Sequence, residues 1–90
     1  MEDVKVKKPT KQELDALVVD SWGVWEKEPS AFDWSYSEPE TCYILEGEAE
    51  VKGKKGETAS FKAGDLVVFP TGLDCTWTIK KKIRKRYRFG

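Results

Sequence analysis

The chain has 90 residues, and 16 Lys and Arg balance 16 Asp and Glu, so the formal net charge is zero. That length supports one domain, 1–90, with a modest core, and no apolar run approaches the roughly 20 residues that span a bilayer. Two cysteines, Cys42 and Cys75, are too few for a disulfide framework. The stretch Met1-Glu2-Asp3-Val4-Lys5 has no apolar core of a signal peptide, so a cytoplasmic protein with reduced thiols and no membrane partner is expected.

In chain order, Val4 and Val6 alternate with lysines and predict a short first strand that ends before Pro9. Thr10 followed by Glu13 is a capping box, and Leu14, Leu17 and Val18 recur at helical spacing, so a short helix is predicted over about 11–18. Ser21-Trp22-Gly23-Val24-Trp25 reads as extended, with two large aromatics to bury. Phe32, Trp34 and Tyr36 then alternate with polar residues, the period of a half-buried strand. Cys42 to Leu45 is apolar on both faces, which places it inside a layered structure rather than at a rim. Gly47 predicts a kink or a tight turn, and Gly53-Lys54-Lys55-Gly56 a hairpin loop. Ala59, Phe61 and Ala63 share one face of the next strand, and Gly64-Asp65 turns into Leu66-Val67-Val68-Phe69. After Pro70 and Gly72, the residues Leu73, Cys75, Trp77 and Ile79 share one face, continued by Ile83, Tyr87 and Phe89, with Arg84, Arg86 and Arg88 opposite. Seven or more short strands between Gly and Pro turns predict an all-β sandwich or barrel.

Two stretches resemble the paired motifs of the cupin superfamily, G-x5-H-x-H-x3-4-E-x6-G and G-x5-P-x-G-x2-H-x3-N. Glu40, six residues and Gly47 match the end of the first; Gly64, five residues, Pro70, one residue and Gly72 match the second. The resemblance runs from about Trp22 to Tyr87. In Trp25-Glu26, Phe32-Asp33-Trp34, Glu40-Thr41-Cys42-Tyr43 and Gly64-Asp65-Leu66-Val67 it is similar to small single-domain cupins related to the cupin domain of (S)-ureidoglycine aminohydrolase. It implies a double-stranded β-helix, the jelly-roll barrel, behind the short N-terminal helix. It also maps the family's glutamate metal ligand to Glu40 and its histidine ligands to Trp34, Tyr36 and Cys75. The chain contains no histidine, so no metal and no other cofactor is expected. A site built from Glu40 with Cys42 and Cys75 is the one zinc arrangement the residues leave open.

The same positions predict a metal-free pocket. Trp34, Tyr36, Cys75 and Trp77 would line the barrel mouth with Glu40 as its one charged group and Cys42 sharing its face, a set suited to a small ring-bearing or cationic ligand. The plain alternative is that Trp34 and Trp77 only fill the volume of a lost metal centre. Glu40, with Tyr36 as partner, is the candidate acid or base if the protein is a metal-independent epimerase, isomerase or hydrolase, provided burial raises its pKa; otherwise a tyrosine, a tryptophan N–H or backbone amides hold it structurally. Cys75 as nucleophile lacks an activating histidine, and a Cys42–Cys75 redox pair needs both thiols on one cavity. The third functional class is an interaction domain with a filled cavity. The basic run Lys80 to Arg88 is read as a final strand with one solvated face, set against the acids of 38–50, rather than as a nucleic-acid surface. Pairing of two copies through Val4, Val6, Trp22 and Trp25 stays open.

Overall fold

The computed structural model describes residues 4–90; Met1, Glu2 and Asp3, on which the leader-peptide reading partly rests, lie outside it. Two long strands organise the fold. They are β4 (Glu40–Gly53) and β7 (Asp74–Phe89), paired antiparallel along their length from Glu40 opposite Phe89 to Gly53 opposite Cys75. Each changes its outer partner halfway. Over Glu40–Tyr43, β4 pairs with β6 (Leu66–Phe69), and over Glu48–Lys52 with β5 (Thr58–Lys62). Likewise β7 pairs first with β3 (Ser30–Ser35) and then with β2 (Gly23–Lys27). β1 (Lys5–Lys7) closes the far side of β6. Both long strands therefore pass from one layer to the other, which is how a single hydrogen-bonded sheet becomes a jelly-roll sandwich.

The crossover is built at Gly47. The β4–β7 register slips between Ile44 and Glu46, again before Glu48, and again before Ala49, so the predicted kink is a bulge within one continuous strand and not a turn. Gly47 sits at φ +93°, and a Cβ there would stand 2.2 Å from the Lys82 carbonyl oxygen. Inward-facing residues switch parity across the bulge. Glu40, Cys42 and Ile44 are buried before it, and Ala49 and Val51 after it.

Side chains from both layers meet in one core, led by Trp77, Phe69, Ile44, Leu73, Ile83 and Val51. Phe61, Phe69 and Trp77 pack at centroid distances of 5.2–5.9 Å. The helix α1 (Lys11–Leu17) has the predicted capping box at Thr10 and Glu13 but buries no residue fully. With the 3₁₀ turn Val19–Ser21 it packs Leu14 and Leu17 onto a satellite cluster of Val19, Trp22 and Leu66, outside the barrel. Trp22 is thus held within one chain, where its indole N–H donates to the Leu17 carbonyl at 3.1 Å. The basic run faces the expected acids only in part: Lys80 lies 3.7 Å from Glu50, within 38–50, whereas Lys82 and Arg84 lie 3.6 and 3.4 Å from Glu28 and Glu26, which precede that stretch.

Candidate ligand site

A cavity of about 190 Å³ opens at the end of the sandwich where β3, β2 and the far end of β7 converge around the start of β4. Trp25, Phe32, Trp34, Tyr36, Trp77, Tyr87 and Phe89 make its walls, and two charged residues, Glu40 and Lys85, complete them. Phe32 stacks on Trp77 (6.0 Å, 10° between planes), and Tyr36 stacks on Phe69 (4.8 Å, 7°). Trp34 and Phe89 stand at the rim, 47% and 46% exposed. Trp34 therefore does not fill a core, whereas Trp77, 2% exposed, both fills the core and borders the cavity.

Glu40 and Lys85 are 2% and 5% exposed. Lys85 Nζ donates to Glu40 Oε2 at 2.6 Å. The ammonium also lies 4.9 Å from the ring centroids of Trp25 and Trp77, and 6.0 Å from those of Phe69 and Tyr87, all within cation–π range. An ammonium has three N–H donors; only the one to Glu40 is engaged among the described residues, and Glu40 Oε1 likewise has no partner among them. The reading of Glu40 as the one charged group of the pocket is corrected here. Its partner is a lysine, not Tyr36, an indole or backbone amides. Strand parity was the available signal, because Lys85 falls on the odd-numbered face with Ile83 and Tyr87.

The Tyr36 hydroxyl accepts from the Trp77 indole N–H at 3.1 Å. Burial, reinforced by the neighbouring Glu40 charge, holds its pKa far above the ordinary value for a phenol. Tyr36 therefore keeps its proton in this cavity and can donate a hydrogen bond.

Cys42 and Cys75 do not border the cavity. Both are buried free thiols. Burial pushes Cys42 up to about 12. It pushes Cys75 up to about 11, helped by the charges of Asp74 and Asp33, while the thiol lies 3.5 Å from the Trp34 carbonyl oxygen. The donor set does not suit a metal ion. There is no imidazole in the chain, an ammonium sits on Glu40, and among the described residues no three His, Cys, Asp or Glu side chains come together as ligands. The Glu-Cys-Cys zinc arrangement is not formed. Among the described residues no helix is long and apolar enough to cross a membrane.

A sequence model of the EutQ-like cupin domain matches residues 14–87, and the chain belongs to that family. Among solved structures it is similar to a DUF861 family protein from Thermotoga maritima, with 48% identity and a TM-score of 0.97 over 98% of this chain and 100% of that one. It is also similar to a putative ethanolamine utilization protein Q from Salmonella typhimurium (26% identity, TM-score 0.68), over 98% of this chain and 69% of that one. The Clostridium difficile EutQ protein shares the fold at 22% identity and a TM-score of 0.69, over 96% of this chain and 66% of that one. Among curated proteins, none matches the chain significantly.

Proposed function

We propose that this EutQ-like cupin domain binds a small organic molecule in the aromatic cavity, with the Lys85 ammonium, rather than a metal ion, as the positive charge beside Glu40. The observation that carries the reading is the placement of the ion pair, buried yet bordering an open cavity. Withdrawing an ammonium and a carboxylate from water costs several kcal/mol per ion, and a well-packed apolar pair in the same place is often as stable or more so. Fold stability is therefore a weak reason for this pair, and recognition of a ligand is a stronger one. The cupin motifs shared with relatives of (S)-ureidoglycine aminohydrolase support the barrel and the place of Glu40, and no activity is carried over with them. Two buried free thiols agree with a reducing, cytoplasmic setting.

The experiment is a thermal-shift screen of metabolites against the wild type and the Lys85→Met/Glu40→Leu double variant. Hits that raise the wild-type Tm and lose the shift in the double variant are expected. A library without such hits, or hits indifferent to the substitutions, contradicts the reading.

A second reading, acid–base catalysis by Glu40 with Tyr36, is favoured by their meeting in one cavity. Glu40 would then accept the proton while the Tyr36 hydroxyl holds the substrate by a hydrogen bond, so Glu40→Gln would abolish turnover of a hit while leaving its affinity within a few fold.

A further inference from the structure

Resting on that binding reading, we infer that the ligand is an uncharged, planar, single-ring molecule that presents a carbonyl oxygen beside an N–H, a cyclic or aryl amide. Charge decides first. Lys85 and Glu40 cancel, so an anion meets the Glu40 carboxylate, and a cation meets an ammonium that already occupies the faces of Trp25 and Trp77. A neutral dipole is repelled by neither. Hydrogen bonding decides next. Lys85 keeps unengaged N–H donors, Glu40 Oε1 keeps its lone pairs, and the Tyr36 hydroxyl accepts from Trp77 with its own proton uncommitted among the described residues. Donor and acceptor thus border the same cavity, the complement of an amide. A C=O to Lys85 and an N–H to Glu40 would engage both, and hydrogen bonds to charged groups are the stronger kind.

Shape decides last. The walls are flat rings, and a cavity of about 190 Å³ lies below the roughly 300–1,000 Å³ of sites for drug-sized ligands. One ring would stack on the walls under the half-exposed Trp34 and Phe89.

The test uses three probes of nearly one shape: benzamide (neutral), benzoate (anion) and benzamidine (cation). Each is titrated into ¹⁵N-labelled protein with the indole N–H signals of Trp25 and Trp77 as readout. Benzamide is expected to bind at least about tenfold tighter than either ion, the effect of one charge-assisted hydrogen bond. The folded Lys85→Met/Glu40→Leu variant should bind it at least about tenfold more weakly than the wild type. Equal or tighter binding of benzoate or benzamidine overturns the amide class and leaves small-molecule binding standing. Undiminished benzamide binding by the double variant, or no movement of the two indoles with any probe, also overturns the class; the metabolite screen then judges the binding reading separately.

Discussion

Lys85 sits within a run of seven basic residues between Lys80 and Arg88, and composition reads that run as a solvated edge. Parity reads it differently, because odd residues of β7 face inward and both Lys81 and Lys85 are odd. Only Lys85 is buried, since Lys81 falls where β7 bends between layers and its side chain is released to solvent. Which lysine turns inward thus depends on the bend, and a run of like charges hides the bend. Glu40, by contrast, was legible as a buried carboxylate from its place ahead of Cys42 and Ile44, though its partner was not. The cysteines were readable as small buried apolar groups but not as standing behind the cavity walls rather than in them. Their thiols carry a pH prediction. Cys42 has its pKa raised from 9.0 to about 12, so between those values the folded chain keeps a proton that the unfolded chain releases. The associated stability is complete below about pH 9 and is lost as pH rises toward 12. Denaturant titrations should show unfolding free energy falling over that window, with a shallower slope for Cys42→Ala. Iodoacetamide at pH 8 should label native Cys42 only as fast as the protein opens. Labelling at the rate of a free thiol would contradict its burial.

At the scale of elements, turns and alternation were the legible part. The helix cap, the Gly53–Gly56 hairpin and the strands over Phe32, Phe61 and Val67 follow from residue type and period. What alternation alone does not yield is the length of β4 and β7, because a strand that changes layers looks like two strands with a break. The parity switch from Cys42 and Ile44 to Ala49 and Val51 is the trace of that bulge in the sequence. Gly47 makes the bulge possible, through a positive φ and a backbone approach that excludes a Cβ. Gly47→Ala should therefore destabilise the domain by about 3 kcal/mol or more, since left-handed strain and a backbone clash act together. Gly56→Ala, also at positive φ but with no atom within 4 Å of the added carbon, should cost only about 1–2 kcal/mol. Equilibrium unfolding in urea measures both, and equal effects would show that close approach at Gly47 contributes nothing.

For the whole molecule, the spacing of Glu40, Gly47, Gly64, Pro70 and Gly72 made the barrel readable, because these residues mark the points where the chain turns or crosses layers. The candidate site was readable only in part. Trp34, Tyr36, Glu40 and Trp77 do border one cavity, while Trp25, Phe32, Lys85, Tyr87 and Phe89 join it through the β2–β7 and β3–β7 pairings. That assembly is a property of topology, and no local pattern encodes it. In the proposed reading the domain keeps a buried ion pair for what enters the cavity and not for its own folding. The single variant Lys85→Met leaves Glu40 buried without its counter-charge and should lose about 3–5 kcal/mol. The direct measurement is the unfolding free energy of the double variant Lys85→Met/Glu40→Leu beside the wild type and that single variant. The double variant is expected to be as stable as the wild type or more so. A double variant as unstable as Lys85→Met alone would contradict that reading, because the pair would then be part of what holds the barrel together.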